Sequence, residues 1–125
     1  MAWLDVAGDE VVLRLSLFER LGGFVRGDGR IPLTAIANVR AVDDPWRELR
    51  GLRSPGTDWP RRVAIGTWRF PGGKDYVALR GRGPGVVLEL QGFEFSRVLV
   101  SAREPRELAA EIERAVDEAP GPPRL

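Results

Sequence analysis

The run RVAIGTWRFPGGKDYVALRG, residues 62–81, decides how this chain reads. Two stretches rich in β-branched and aromatic residues flank Pro71-Gly72-Gly73, the composition of a hairpin turn. The side-chain pattern then selects a register. Pairing Ile65 with Leu79 and Thr67 with Val77 places them, with Val63, on one apolar face. The opposite face pairs Trp68 with Tyr76, Gly66 with Ala78, and Ala64 with Arg80. Such a cross-strand aromatic pair contributes a few tenths to ~1 kcal/mol. Ala64, Gly66 and Ala78 then form a floor of small residues beside an aromatic wall. Small side chains on an outer sheet face make sense where another backbone or a ligand approaches closely.

Working outward, the same period of two recurs. Residues 10–16, EVVLRLS, set Val11, Leu13 and Leu15 against Val12, Arg14 and Ser16. Leu17, Phe18 and Leu21 have the spacing of a helical turn or two, which Gly22-Gly23 would stop. Residues 27–29, GDG, read as a tight turn. Arg30–Leu33 is a short strand whose Pro32 points to an edge or an end, and 38–44 alternates again. After the hairpin, a turn at 80–85 leads to VVLELQ with Val86, Leu88 and Leu90 inward. RVLVSA follows with Val98, Val100 and Ala102 inward. Pro105 suits the first position of a helix. There Leu108, Ile112 and Ala115 or Val116 make an apolar stripe, while Arg106, Glu107, Glu111 and Glu113 face water. APGPPRL, 119–125, is expected to be a disordered tail.

The expectation is a single domain over residues 1–118, mainly β with one C-terminal amphipathic helix (α+β). About seven strands form either a barrel or two packed antiparallel sheets, which the helix caps. A chain of 125 residues, 43% hydrophobic and 30% charged, is long enough for its own core. Cysteine is absent, which excludes disulfides and thiolate chemistry and suits a reducing cytoplasm. The acidic start, MAWLDVAGDE, lacks the pattern of a secretory signal. No apolar run reaches the ~18 residues of a transmembrane segment. We therefore expect a cytoplasmic protein.

Net charge is +1, which argues against a dedicated nucleic-acid binder. Lys74 is the one lysine among nineteen basic residues. Since Ala, Gly and Pro are also abundant, compositional bias explains most of the arginine count, and only arginine placement carries weight.

The residues GDGRIPLTAIANVRAVDDPW, LRGLRSPGT, VAIGTW, GGKDYVAL, GPGVVLEL and FSRVLVSAREP resemble small bacterial pleckstrin-homology-like (PH-like) proteins of uncharacterised role. The resemblance spans nearly the whole chain. It implies a PH-like barrel closed by the C-terminal helix, and no catalytic signature comes with it. The basic cluster of phosphoinositide-binding relatives is matched only by Arg20, Arg26 and Arg30, with Glu19 and Asp28 among them. The tryptophan of their C-terminal helix has no counterpart here.

Histidine is absent too, removing the usual general base, Ser–His and Cys–His couples, and nearly all zinc sites. We expect no enzyme, no cofactor and no metal. Asp43-Asp44 before Pro45 reads as a turn and not as a paired-acid site, because adjacent carboxylates diverge. Lys74 beside Asp75 reads as a solvated pair. The glycines of 80–85 precede a strand and not a helix, so they form a hairpin turn and not a phosphate cradle.

One stretch remains, PWRELRGLRSPGTDWPRR, residues 45–62. Read as a connection of ~18 residues, it is too long for a simple hairpin and must find its own packing. It could fold over the small-residue floor, anchored by Trp59, Leu49 or Leu52. Arg47, Arg50 and Arg53 recur every third residue and would align on a helical turn. An aligned arginine row beside tryptophan can hold carboxylate or phosphate. From Pro45 to Lys74, seven basic residues stand against Glu48 and Asp58, while Glu111, Glu113, Asp117 and Glu118 make the end of the helix acidic. A two-signed surface favours oriented association with self or another protein. The candidate binding set is Arg47, Arg50, Arg53, Trp59, Arg61, Arg62, Trp68 and Tyr76. The expected function is a non-catalytic PH-like binding or scaffold module for an acidic protein partner. The alternative is an anionic small molecule or phospholipid headgroup at the same arginines.

Overall fold

The computed structural model describes residues 3–14, 30–59 and 63–118, and for residues 3, 13, 14, 52–59 and 63 it describes the backbone. The expected helical turn at 17–21, the turn at 27–29, Arg61, Arg62 and the tail 119–125 lie outside the described residues. Among the described residues, nine strands and one α-helix follow in order: β1 (Trp3–Ala7), β2 (Glu10–Arg14), β3 (Arg30–Pro32), β4 (Ile36–Val42), β5 (Leu52–Trp59), β6 (Val63–Phe70), β7 (Gly73–Arg80), β8 (Gly85–Leu90), β9 (Arg97–Ser101) and α1 (Pro105–Glu118). Single 3-10 turns span Leu33–Ala35 and Pro45–Glu48. Among the described residues, the chain is mainly β, with two sheets and a C-terminal helix. One sheet has three strands, β1-β2-β3, and the other six, β4-β8-β9-β7-β6-β5; neither closes into a barrel.

The hairpin at the centre of the sequence forms, but one residue out of the expected register. Ile65 faces Ala78, Thr67 faces Tyr76, and Trp68 faces Asp75. The turn decides this. Phe70 pairs with Gly73, so the loop is the two residues Pro71 and Gly72, with Gly72 at φ +98°, where glycine is at ease. Hydrophobic pattern could not arbitrate, since both faces of this hairpin are buried. Trp68 and Tyr76 therefore point to opposite faces, and their expected pair does not exist. Tyr76 instead meets Phe95 edge to face, with centroids 5.7 Å apart. The small-residue floor is likewise split: Ala64 and Gly66 share the face of Trp68, Ala78 lies on the other, and all three are buried.

Strands β8 and β9 carry Val86, Leu88, Val98 and Val100 into the main core as expected. Their alternate residues Val87 and Leu99 are buried as well, in a second cluster with Ala64, Trp68, Val77 and Leu79. The six-stranded sheet is thus covered on both faces, which is why these strands read as nearly unbroken apolar runs. On the main-core face lie Leu4, Val11 and Ile31 of the small sheet and Ala109 and Ile112 of α1. On the second face lie Val42 and, from the turn after β4, Trp46 and Leu49.

Three further expectations are corrected. The run 45–62 is no long loop, because Leu52–Trp59 is strand β5, antiparallel to β6. The pairing is not wholly antiparallel, because β9 runs parallel to β7 while antiparallel to β8. The opening residues 3–7, read only for their charge, form β1. Helix α1 matches its expected stripe, with Ile112 fully buried and Glu107, Glu111 and Glu113 exposed. Ile112 is the helix's anchor in the core. Ile112→Ala is expected to lower unfolding free energy by about 3 kcal/mol, measured by urea denaturation, whereas Glu111→Ala on the wet face stays within about 0.5 kcal/mol.

Candidate functional site

One register row crosses the six-stranded sheet as Asn38 (β4), Glu89 (β8), Arg97 (β9), Asp75 (β7), Trp68 (β6) and Arg53 (β5). Because facing partners point to one side, Glu89, Arg97 and Asp75 lie on the second face, beside the second apolar cluster. Asp75 is 1% exposed and Arg97 8%. Two charges this buried persist only if each is paired and hydrogen-bonded. Arg97 donates to Asp75 Oδ2 from Nε at 3.0 Å and from Nη2 at 2.8 Å.

The turn after β4 adds two more charges. Asp43-Asp44 acts as the turn it was read to be: Asp44 Oδ1 accepts from the Trp46 backbone N–H at 3.2 Å, and Pro45 begins the 3-10 turn. That turn brings Glu48 between two arginines. Arg40 Nη2 donates to Glu48 Oε1 at 2.8 Å, and Arg97 Nη1 donates to the same oxygen at 3.2 Å. Arg97 Nη2 also reaches the Glu48 carbonyl. Arg50 donates to both Asp75 oxygens, at 2.8 and 3.1 Å, with its guanidinium 4.0 Å from the centroid of Phe70. At the far end, Glu89 Oε1 accepts from Arg40 Nε and Asn38 Nδ2, each at 3.0 Å. The Glu48 carboxyl is held below its ordinary range, first by the Arg40 hydrogen bond and then by the charges of Arg40 and Arg97, against the opposing effect of burial. Arg40 is pushed up, chiefly by the same bond.

Asp75 is therefore not the solvated partner of Lys74. Lys74 Nζ lies over the Phe95 ring at 5.1 Å. Nor do Arg47, Arg50 and Arg53 form one row. Arg47 belongs to the 3-10 turn, Arg50 follows it, and Arg53 sits on β5, beyond Gly51 at φ +80°. A Cβ on Gly51 would lie 2.2 Å from the Arg69 carbonyl oxygen, so the backbone change there admits only glycine.

Of the eight candidates, the structure engages Arg50 internally and buries Trp68 and Tyr76 in different clusters. Arg53 and Trp59 are placed by backbone on β5, and Arg61 and Arg62 are outside the described residues. Arg47 remains outward, its side chain 86% exposed and its Nε 3.4 Å from Asp44 Oδ2. It lines an open cleft of about 630 Å³ with Asp43, Asp44, Trp46, Arg82 and Gly83. Trp46 ties the two walls together, its indole N–H donating to the Gly81 carbonyl at 2.9 Å. Sequence reasoning missed Arg82, as well as Asp75, Arg97, Glu48, Arg40 and Glu89. A signal existed for two of these, since Arg97 and Asp75 each stand at the start of a long apolar run. Nothing local says that they meet.

Among the described residues, no helix is long and apolar enough to cross a membrane. No family model, curated protein or solved structure matches this chain.

The buried pair should behave asymmetrically. Asp75→Asn removes the buried partner of Arg97, leaving it only Glu48, and is expected to cost about 3–5 kcal/mol, while Arg50→Gln, which removes a partly solvated partner of Asp75, costs about 1 kcal/mol or less. Urea denaturation of both variants checks that order. Glu48 also sets an acid dependence. Its value in the folded chain lies below the ordinary 4.5, so its stabilisation is complete above about pH 4.5 and is lost as pH falls through the lowered value. Thermal unfolding from pH 7 to pH 3 should show a smaller acid loss in Glu48→Gln than in the parent.

Proposed function

We propose that this chain is a non-catalytic binding or scaffold module of the PH-like kind, working in the cytoplasm, whose recognition surface is the cleft between residues 43–47 and 81–84. The order of elements, many short strands and then one amphipathic helix, supports the PH-like part of this reading. The parallel β7–β9 pair is a departure from the antiparallel sheets expected of it. The want of histidine and cysteine supports a role without acid–base or nucleophilic chemistry.

The observation that carries the proposal is the mixture of charge around the cleft. Arg47 and Arg82 are exposed there, and so are Asp43 and Asp44, around a tryptophan fixed by its own hydrogen bond. Arginine beside an aromatic is a common anchor of protein interfaces. A compact phosphate would gain from the arginines but be repelled by the neighbouring carboxylates. A protein surface can set its acids on Arg47 and Arg82 and leave the aspartates to water or to its own cations. This favours the acidic protein partner, or a second copy of the chain through the acidic end of α1, over a small anion or a lipid headgroup.

The paired variant Arg47→Ala/Arg82→Ala should fold normally and lose, at least tenfold, its capture of partner from the native cell, with the loss steepest at low salt. Undiminished capture rejects the cleft. Salt-sensitive flotation with phosphatidylserine vesicles, or a thermal shift with inorganic phosphate, that disappears in the same variant would transfer the site to the anion reading.

A further inference from the structure

Residues 45–50 stand apart from the architecture they cover. They join neither sheet, and their backbone-to-backbone bonds are local: the Arg47 N–H donates to the carbonyl of the preceding Asp44 and the Leu49 N–H to the Trp46 carbonyl. Among the described hydrogen bonds, those leaving the segment run mainly through side chains, from Trp46 to Gly81, from Arg50 to Asp75, and between Glu48 and the arginines Arg40 and Arg97. Its apolar contribution to the second cluster is two half-buried side chains, Trp46 and Leu49, with Pro45 seated against Gly85. The segment is bounded by the Asp44 cap and by Gly51 at φ +80°.

We propose that residues 45–50 form a detachable strap, held over the sheet by an ionic latch, whose opening uncovers the apolar face of Val77, Leu79, Val87 and Leu99 and dismantles the cleft. The charges divide in the way such a latch needs. The sheet keeps Asp75 with Arg97 and Glu89 with Arg40, each pair formed between strands without help from the strap. The strap carries away Glu48 and Arg50, one charge of each sign. Within the latch neither half is left with net charge, since the strap's third charge, Arg47, faces outward and takes no part in it, and the most buried carboxylate keeps a guanidinium throughout. The departing groups are also the wetter ones, with the side chains of Arg50 43% and Glu48 26% exposed against 1% for that of Asp75 and 10% for that of Arg97. Local opening below the global unfolding free energy is the expected behaviour of a segment with few buried contacts and no ladder bonds. Since Trp46 and Arg47 build one wall of the cleft, opening and cleft binding exclude one another. That coupling holds whatever the cleft binds.

The chain contains no cysteine, so a single introduced thiol reports on one place. Val77→Cys lies in the second cluster, against which the strap packs, and Val98→Cys lies on the opposite face of the same sheet, in the main core. Both are near-isosteric, and Val87→Cys serves if Val77→Cys does not fold. With an aromatic disulfide reagent, the strap-face thiol should react at least 100-fold faster than the core thiol and with a weak dependence on urea. Glu48→Gln, or 1 M NaCl, should speed its reaction about tenfold. Glu111→Gln, a charge change on the exposed face of α1, should leave it unchanged. Equal labelling rates with equal urea dependence for the two thiols would mean that the segment leaves only when the whole protein unfolds, and would overturn the strap.

Discussion

The Asp75–Arg97 pair is the constraint on which this architecture turns. An aspartate at 1% exposure is tolerable only because guanidinium groups lie within hydrogen-bond distance, and the more buried of the two, Arg97, comes from the adjacent strand of a parallel ladder. Were β9 displaced by one residue along β7, Arg97 would turn to the opposite face and Asp75, beside an apolar cluster, would keep only the half-exposed Arg50. Hydrophobic matching alone would not prevent the slip, because β9 is buried on both faces. The ion pair is thus better understood as a register pin than as a source of stability, since a well-packed apolar pair is often as stable or more so.

From that pin the rest of the second face follows. The charged row ends the apolar cluster on one side, and the strap reaches it from outside with Glu48 and Arg50. Trp46 and Leu49 are then set down on the second apolar cluster, and the Trp46 indole joins the strap to the turn beyond β7. One side chain, Arg97, touches a neighbouring strand, the Glu48 carboxylate and the strap backbone at once. From the arginine-rich run that draws the eye in the sequence, Arg50 is engaged in this way and Arg47 points outward.

What the sequence made legible follows its local periodicities. The strands β2, β3, β4, β8 and β9 and the helix α1 were readable because alternation, or a 3.6-residue stripe, is written into each by itself. The Asp43-Asp44-Pro45 turn was readable for the same reason. The hairpin register was not, because Val77 and Ala78 are both buried and the choice fell to a two-residue turn over a three-residue one. Strand β5 was obscured by Pro55 and Gly56, near which its ladder shifts register. The ionic row was out of reach: Asn38, Glu89, Arg97 and Asp75 become neighbours only once a non-sequential strand order is known. Taking Asp75 as a surface residue was the natural reading of a charge beside a turn, and it was wrong because β7 is central in its sheet.

The position of β9 bears on how the molecule is made. It lies between β8 and β7, so the sheet's two halves, β4-β8 and β7-β6-β5, share no ladder until residues 97–101 are in place. During synthesis residues 97–101 must emerge from the ribosome before those halves can be joined. Folding is therefore a late, non-local event with a high contact order and correspondingly slow kinetics. Until β9 docks, the nascent hairpins present unpaired edges that a chaperone, or a misplaced neighbour, can occupy.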